Sequence, residues 1–206
     1  MGRINKFAGF VFAFLSIAVG LYPILYFFTT ENFGLLYPKA DHLSANFFWS
    51  IAFYGHLIFH GLALLVGWSL FPKKMRDEHP KILHNLRKIY VGSALLGGVS
   101  NIGIGLLLNL GWSTSIGFVL LGLVWLYTTK SAYTAFGKKD LNLYNGMIIY
   151  SIAACFAAVT LRLWLPILQL VFGDFLMAYK IVAWLCWLPN LIFAHLWVRR
   201  KGIVLG

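Results

Sequence analysis

Long apolar runs separated by short polar segments dominate the pattern of the chain. A helix needs about 20 residues to cross the roughly 30 Å hydrocarbon core of a bilayer. Six runs meet this length, and we predict helices over residues 7–28, 47–71, 88–110, 114–136, 146–172 and 176–198. The pattern therefore predicts an all-α, polytopic membrane helix bundle that forms a single domain over residues 1–206.

The first apolar run follows Arg3 and Lys6, as the apolar segment of a signal peptide would. It is longer than the roughly 7–15 apolar residues of such peptides, and no A-x-A cleavage site follows the string GLYPILYFF. We therefore expect this run to remain as a membrane helix.

Composition agrees with a surface that is covered mostly by lipid. Only 11% of the 206 residues are charged, against about 25% in a typical soluble domain. Hydrophobic residues make up 60%, and the mean hydropathy is +0.78. The net charge of +11 is carried by short segments between apolar runs, so it indicates membrane topology and argues against a nucleic-acid partner.

Basic residues lie on one predicted side of the bundle. They occur before the first helix, after the second, after the fourth and after the sixth, whereas the alternate loops carry almost no net charge. Basic residues of short loops stay in the cytoplasm. We therefore predict that both termini are cytoplasmic, that the protein lies in a bacterial cytoplasmic (inner) membrane, and that membrane lipids are its immediate partners.

Small and polar residues on the third predicted helix recur every four positions and form one stripe. They are Ser93, Gly97, Asn101 and Gly105. Small residues let membrane helices approach closely, and an asparagine can form a hydrogen bond across the contact, so the stripe predicts a helix seam. Cys155 and Cys186 both fall in apolar runs, and we expect them to be buried packing residues.

A single arginine interrupts the fifth run, in the string AAVTLRLWLP. Arg162 would cost several kcal/mol in a bilayer if it stood alone. Pro166 has no N–H to donate to the Arg162 carbonyl, so we expect the helix to bend or loosen there. Asp174 is the only acidic residue near the adjoining ends of the fifth and sixth helices, and we predict that it pairs with Arg162.

This predicted site would carry net positive charge, because Asp174 faces the two bases Arg162 and Lys180. Such a site favours an anionic or carbonyl-bearing ligand, such as a lipid phosphate or a quinone. Trp184 and Trp187 could stack on the cations or on the ligand. The structural alternative is that Arg162 binds backbone carbonyls, Asp174 and water, while Lys180 extends to the surface.

Histidines offer a second kind of candidate chemistry. His56 and His60 stand four residues apart on one helix face, but a catalytic zinc needs a third ligand. A haem held by two histidines needs them on different helices, and His84 and His195 are the pair at matched depth. We expect His56 and His60 to form polar bonds between helices, with haem b or another metal as the alternatives.

Catalytic fingerprints are missing from the sequence, since neither GxGxxG nor G-x-S-x-G occurs. The sequence therefore favours a non-catalytic binding or accessory protein that holds a lipid or quinone-like ligand near Arg162, with a subunit of a larger membrane complex as one form of that role. The alternatives are a small redox protein carrying b-type haem and a carrier of a small anion.

Three strings, GFVLLGLVWLYTTKSAYTAF, FAAVTLRLWLP and AWLCWLPNL, resemble a bacterial membrane family catalogued as domain of unknown function 2306. The resemblance covers roughly residues 56–200 and implies a multi-helix inner-membrane protein without an assigned activity. The positions typical of the family are His60, Arg162, Pro166, Trp187, Pro189 and Asn190. The resemblance thus adds Asn190 to the candidate ligand-binding residues.

The chain departs from this family at the ends of two helices. Tyr144 stands where the family tends to have a histidine at the start of the fifth helix. In the string HNLRKIY, His84 is shifted by one position and Arg87 replaces a glycine. The resemblance therefore implies that a metal or haem bound there by other members would lack ligands in this chain.

The predicted topology can be tested with reporter fusions. A reporter fused after Lys201 is expected to be active only in its cytoplasmic form, and one inserted near Asp41 only in its external form. The reason is that the basic segments keep the termini inside. The opposite activity at either position would overturn the predicted orientation.

Overall fold

The computed structural model describes residues 3–24, 47–107 and 110–203, and every regular element in these ranges is helical. The helices are α1 (Arg3–Leu21), α2 (Phe47–Gly67), α3 (Lys73–Glu78), α4 (Pro80–Leu107), α5 (Trp112–Gly137), α6 (Leu141–Cys155), α7 (Ala157–Phe172), α8 (Phe175–Leu185) and α9 (Leu188–Arg200). Short 3-10 turns at Tyr22–Ile24 and Trp68–Leu70 extend α1 and α2.

Six helical segments in the described part are long and apolar enough to cross a membrane. They are Lys6–Ile24, Phe47–Leu70, Pro80–Leu107, Trp112–Gly137, Leu141–Phe172 and Phe175–Arg200. The predicted all-α bundle with six spanning helices is therefore confirmed. Residues 25–28 and 108–109 of the predicted helices, and the loop residues Glu31, Lys39 and Asp41, lie outside the described residues.

Two helices begin earlier than the apolar pattern predicts. α4 starts at Pro80 rather than near residue 88, because proline suits the first turn of a helix and the following lysines and leucines are good helix formers. α6 starts at Leu141 rather than near residue 146, and the Leu143 amide donates to the capping carboxylate of Asp140 at 3.0 Å. Hydrophobicity marks where a helix enters lipid, not where it begins.

The fifth and sixth spans are each interrupted. In the fifth, α6 ends at Cys155 and α7 begins at Ala157, and the Val159 amide donates to Phe156 O at 2.9 Å instead of to the Cys155 carbonyl. In the sixth, α8 and α9 are separated at Cys186 and Trp187. Pro166 lies inside α7, and the helical pattern is broken ten residues earlier, at Phe156, where no break was predicted. The bend or loosening expected at Arg162 stays a prediction.

A buried hydrogen-bond chain joins three spans near the middle of the bundle. The Tyr90 hydroxyl of α4 lies 2.7 Å from the Ser151 hydroxyl of α6, which lies 2.7 Å from the Thr129 hydroxyl of α5. All three side chains are buried. Because no water is at hand in hydrocarbon to replace them, such bonds favour one arrangement of these helices over others.

The predicted seam on α4 is confirmed. The Asn101 side chain is 2% exposed and donates through Nδ2 to the Phe118 carbonyl of α5 at 2.7 Å. A Cβ at Gly105 would lie 3.0 Å from the backbone nitrogen of Val119, so only glycine permits this approach. The expected burial of both cysteines is confirmed as well.

Two glycines of α4 provide a matched test of the seam. Gly105→Ala should lower the melting temperature in detergent, because its methyl group would meet the α5 backbone and overpacking costs about 1–3 kcal/mol. Gly92→Ala, at a position with open space around it, should leave the melting temperature unchanged or raise it. Equal tolerance of the two changes would contradict the seam.

Candidate functional site

A small cavity of about 20 Å³ lies between the first, second and fifth spans. Its polar lining among the described residues is His56 and His60 of α2 and Arg162 of α7, and the remaining lining is apolar. A cavity needs about 10–15 Å³ to hold one water molecule. The structure thus brings together two candidate groups that the sequence left separate, around a space that suits one oxygen-bearing group.

The close crossing of α1 and α2 forms one wall of this cavity. A Cβ at Gly61 would lie 2.9 Å from the Gly20 carbonyl oxygen and 3.1 Å from Cγ of Pro23. Such a distance is available only to glycine, and Gly61 directly follows His60 in the chain. The crossing therefore places the end of α1 against the histidine-bearing face of α2.

His60 is held from three sides. Its side chain is 4% exposed, its Nε2 lies 2.7 Å from the Cys155 carbonyl oxygen, and its ring centroid lies 4.6 Å from that of Trp125. A carbonyl oxygen only accepts hydrogen bonds, so Nε2 carries the hydrogen. Its other nitrogen, Nδ1, is buried and has no hydrogen-bond partner among the described residues.

His56 completes the imidazole pair one helical turn away. The two ring centroids are 4.7 Å apart and the rings meet edge to face. Nδ1 of His56 is also buried without a hydrogen-bond partner in the described ranges. Buried polar atoms without partners are uncommon in folded proteins, and the two histidines that carry these atoms line the same cavity.

Arg162 lies against the end of the first span. Its Nη1 donates to the Ala158 carbonyl at 2.9 Å, and its guanidinium carbon lies 4.5 Å from the centre of the Tyr22 ring. The first bond is to a carbonyl one turn back in the same helix, and the second contact is a cation–π interaction. Together they direct the side chain toward α1 and α2.

The predicted pairing of Arg162 with Asp174 is wrong. Asp174 is exposed and caps α8, where its Oδ1 accepts from the Met177 amide at 2.6 Å. About 15 Å of helix separates Arg162 from Phe172 at the end of α7, which exceeds the reach of the side chain. Across the described residues, the ion pair within 4 Å is Lys74–Glu78.

The other predicted ligand residues of the sixth span lie away from the cavity lining. Lys180 is exposed and its side chain runs beside Gly111. Nε1 of Trp184 donates to the Ser113 hydroxyl at 3.2 Å, and Nε1 of the buried Trp187 donates to the Ala183 carbonyl at 2.8 Å. The two indole rings contact each other and secure α8 rather than the cavity.

Asn190 connects the two interrupted spans. Its Nδ2 lies 2.9 Å from the Cys186 carbonyl, 3.1 Å from the Thr160 hydroxyl and 3.3 Å from the Ala153 carbonyl. The Thr160 hydroxyl also bonds the Cys186 carbonyl. Sequence reasoning missed Thr160, although a threonine two residues before an intramembrane arginine was a usable signal.

His84 and His195, the predicted haem pair, contact different parts of the bundle. His84 is exposed and packs near the Phe136 ring of α5, whereas Nδ1 of His195 lies 2.8 Å from the Tyr150 hydroxyl of α6. Within the part of the chain that the structure describes, no group of three or more metal-binding side chains is present. Haem and metal binding by these histidines stay predictions.

The family comparison covers most of this site. A family model described as "Predicted membrane protein (DUF2306)" matches residues 53–198. The chain belongs to the DUF2306 family. The match includes His56, His60 and Arg162 and leaves α1 outside. Searches of curated proteins and of solved structures gave no significant match.

The DUF2306 description gives membrane character and no activity. The two replaced positions of the family strings contact each other, because the guanidinium carbon of Arg87 lies 5.4 Å from the Tyr144 ring centre. The same carbon lies 5.1 Å from the ring centre of Phe136. Arginine and tyrosine thus fill, by a cation–π contact, a region at the start of the fifth span.

Because Asp174 caps α8 and does not pair with Arg162, we expect no energetic coupling between the two residues in a double-mutant cycle. Asp174→Asn keeps a good helix cap and is expected to be nearly neutral, whereas Asp174→Ala should cost about 1 kcal/mol. Arg162→Leu should shift the melting temperature equally in the wild-type protein and in the Asp174→Asn variant, so the two changes add within about 0.5 kcal/mol. A coupling above about 1 kcal/mol would show that the two side chains meet.

Proposed function

We propose that this DUF2306 protein is a non-catalytic membrane binding protein. In this proposal, Arg162 donates to an oxygen atom in the polar head of a lipid or quinone-like ligand, and the two histidines line the same site. The observation that carries the proposal is the cavity itself, which is lined by a permanent cation and by two histidines whose Nδ1 atoms are buried and lack partners among the described residues.

Charge supports a ligand with an oxygen acceptor. Arginine stays protonated in proteins, and ionisable side chains within membrane spans are costly and commonly mark ligand or ion sites. The described lining of the cavity carries the positive charge of Arg162 and includes no acidic side chain. A carbonyl or an anionic oxygen complements this charge.

Size and depth support an amphipathic ligand. His60 lies near the middle of the span Phe47–Leu70, and about 20 Å³ holds one oxygen-bearing group rather than a whole ring system. A lipid or a quinone can place its head here while its apolar part stays among the helices or in lipid. A small anion is the alternative occupant, and it would need full dehydration to reach this depth.

The setting of the protein is part of the proposal. The basic segments support a bacterial cytoplasmic membrane with both termini inside. An accessory subunit of a larger membrane complex fits a small bundle without catalytic motifs, and the many exposed apolar side chains suit lipid or partner helices equally. In this proposal, the immediate partners are the surrounding lipids, and other subunits of the complex are further partners.

Co-purification tests the ligand directly. The protein is purified in a mild detergent, and its organic extract is measured by mass spectrometry for quinones and lipids. Arg162→Leu should reduce the retained ligand by about tenfold or more, because hydrogen bonds to charged groups contribute about 1.5–3 kcal/mol. Arg87→Leu removes the other arginine that contacts aromatic rings and should retain the ligand.

Three results would contradict this function. Equal ligand retention in Arg162→Leu and wild type would show that the cavity is not the binding site. A strong Soret band that His84→Ala abolishes would favour the b-type haem redox protein. Saturable binding of an inorganic anion without any retained lipid or quinone would favour the anion carrier.

A further inference from the structure

The hydrogen positions on His60 restrict which ligand the cavity accepts. Nε2 lies 2.7 Å from the Cys155 carbonyl oxygen, which can only accept, so the hydrogen is on Nε2. A neutral imidazole has one donor and one acceptor nitrogen. Nδ1 of His60 is then an acceptor, and it is buried without a partner among the described residues.

The helix interruption holds the ring in this tautomer. In an intact helix the Cys155 carbonyl would accept from the amide of Val159, but that amide donates to Phe156 O at 2.9 Å. Inside a membrane span, a released carbonyl needs another donor from the protein. His60 supplies it, and moving the hydrogen to Nδ1 would leave the carbonyl without that bond.

The neutral state of His60 follows from its surroundings. Its side chain is 4% exposed, and it lines the same cavity as the permanently charged Arg162. A second positive charge there would be opposed by burial and by repulsion from the guanidinium. Nδ1 therefore presents a lone pair.

The cavity is thus lined by a group that only donates, Arg162, and by a histidine whose unpartnered nitrogen only accepts. We propose that its ligand carries a hydroxyl group, whose O–H donates to Nδ1 of His60 and whose oxygen accepts from Arg162. This inference rests on the proposed binding function and names the ligand class. A quinol or a monoacylglycerol offers both features, whereas a quinone or a phosphodiester offers acceptors alone.

The ligand competes with water for the cavity, and this competition favours a hydroxyl group over a carbonyl group. The cavity is large enough for a water molecule, which would donate to Nδ1 and accept from Arg162. A hydroxyl that displaces such a water reproduces both bonds, but a carbonyl leaves Nδ1 buried and unpaired. We expect this loss to weaken binding by about tenfold or more.

Matched pairs of ligands test this class in the wild-type protein. Calorimetric titration in detergent, without oxygen, compares a decyl-substituted benzoquinol with its quinone and with its di-O-methyl ether. A lipid arm compares monooleoylglycerol with its di-O-methyl ether. At least one hydroxyl compound should bind about tenfold more tightly than its partners. The arm in which this occurs identifies the source of the hydroxyl.

A variant of His60 tests whether Nδ1 is the atom that accepts from the ligand. His60→Leu removes the ring acceptor Nδ1 and brings no new acceptor, so the preferred hydroxyl compound should fall to the affinity of its ether or quinone. The affinity for that ether or quinone should stay the same, which also reports that the variant is folded. His84→Leu changes an exposed histidine outside the cavity lining and should keep the full preference.

The failures of the two proposals are distinguishable. If hydroxyl compounds and their ethers bind wild-type protein equally, the hydroxyl requirement is overturned while a binding function stands. If the preference survives in His60→Leu, Nδ1 is not the acceptor and the inference also fails. If none of the five probes binds, the proposed binding function fails with it.

Discussion

Inside a membrane, each backbone carbonyl that a helix interruption releases needs a donor from the protein, and at Cys155 that donor is His60. This bond connects the second span to the fifth and turns the imidazole so that Nε2 serves the backbone. The cavity depends on it, because α7 begins just after the interruption and carries Arg162 toward α1 and α2. The interruption at Cys155, whose carbonyl is bonded by His60, thus positions both the imidazole and the arginine of the cavity.

The second interruption meets the same requirement with different side chains. The Cys186 carbonyl accepts from Asn190 and bonds the Thr160 hydroxyl. Thr160 belongs to α7, so this helix is bonded to the sixth span at Thr160. At its start, the same helix adjoins the interruption whose carbonyl is bonded by His60. Arg162 stands two residues after Thr160, about half a turn further on. Its position therefore follows from two backbone interruptions, whereas Asp174 serves as the cap of α8.

Hydrophobicity and residue size, which are local properties, predicted the six spans, the α4 seam and the buried cysteines. The pairing of Arg162 with Asp174 failed because it rested on the scarcity of acids and ignored a local signal: Asp174 follows a glycine and precedes an apolar helix, which is typical of a cap. The meeting of Arg162 with His56 and His60 was beyond prediction. It depends on the Gly20–Gly61 crossing and on a break in a string, ACFAAV, that contains no helix-breaking residue.

In the proposed function, one nitrogen of His60 bonds the backbone and the other bonds the ligand, and this division would link ligand chemistry to the backbone. A ligand that offered only an acceptor could bond His60 through Nδ1 only if the hydrogen moved from Nε2. That change would strand the Cys155 carbonyl, and a buried unpaired acceptor costs about 1–3 kcal/mol. About 1.4 kcal/mol corresponds to a tenfold change in affinity, so the cost of stranding one carbonyl is sufficient to select a hydroxyl over a carbonyl. Under this proposal, the selectivity originates in a break of the fifth span and needs no additional side chain.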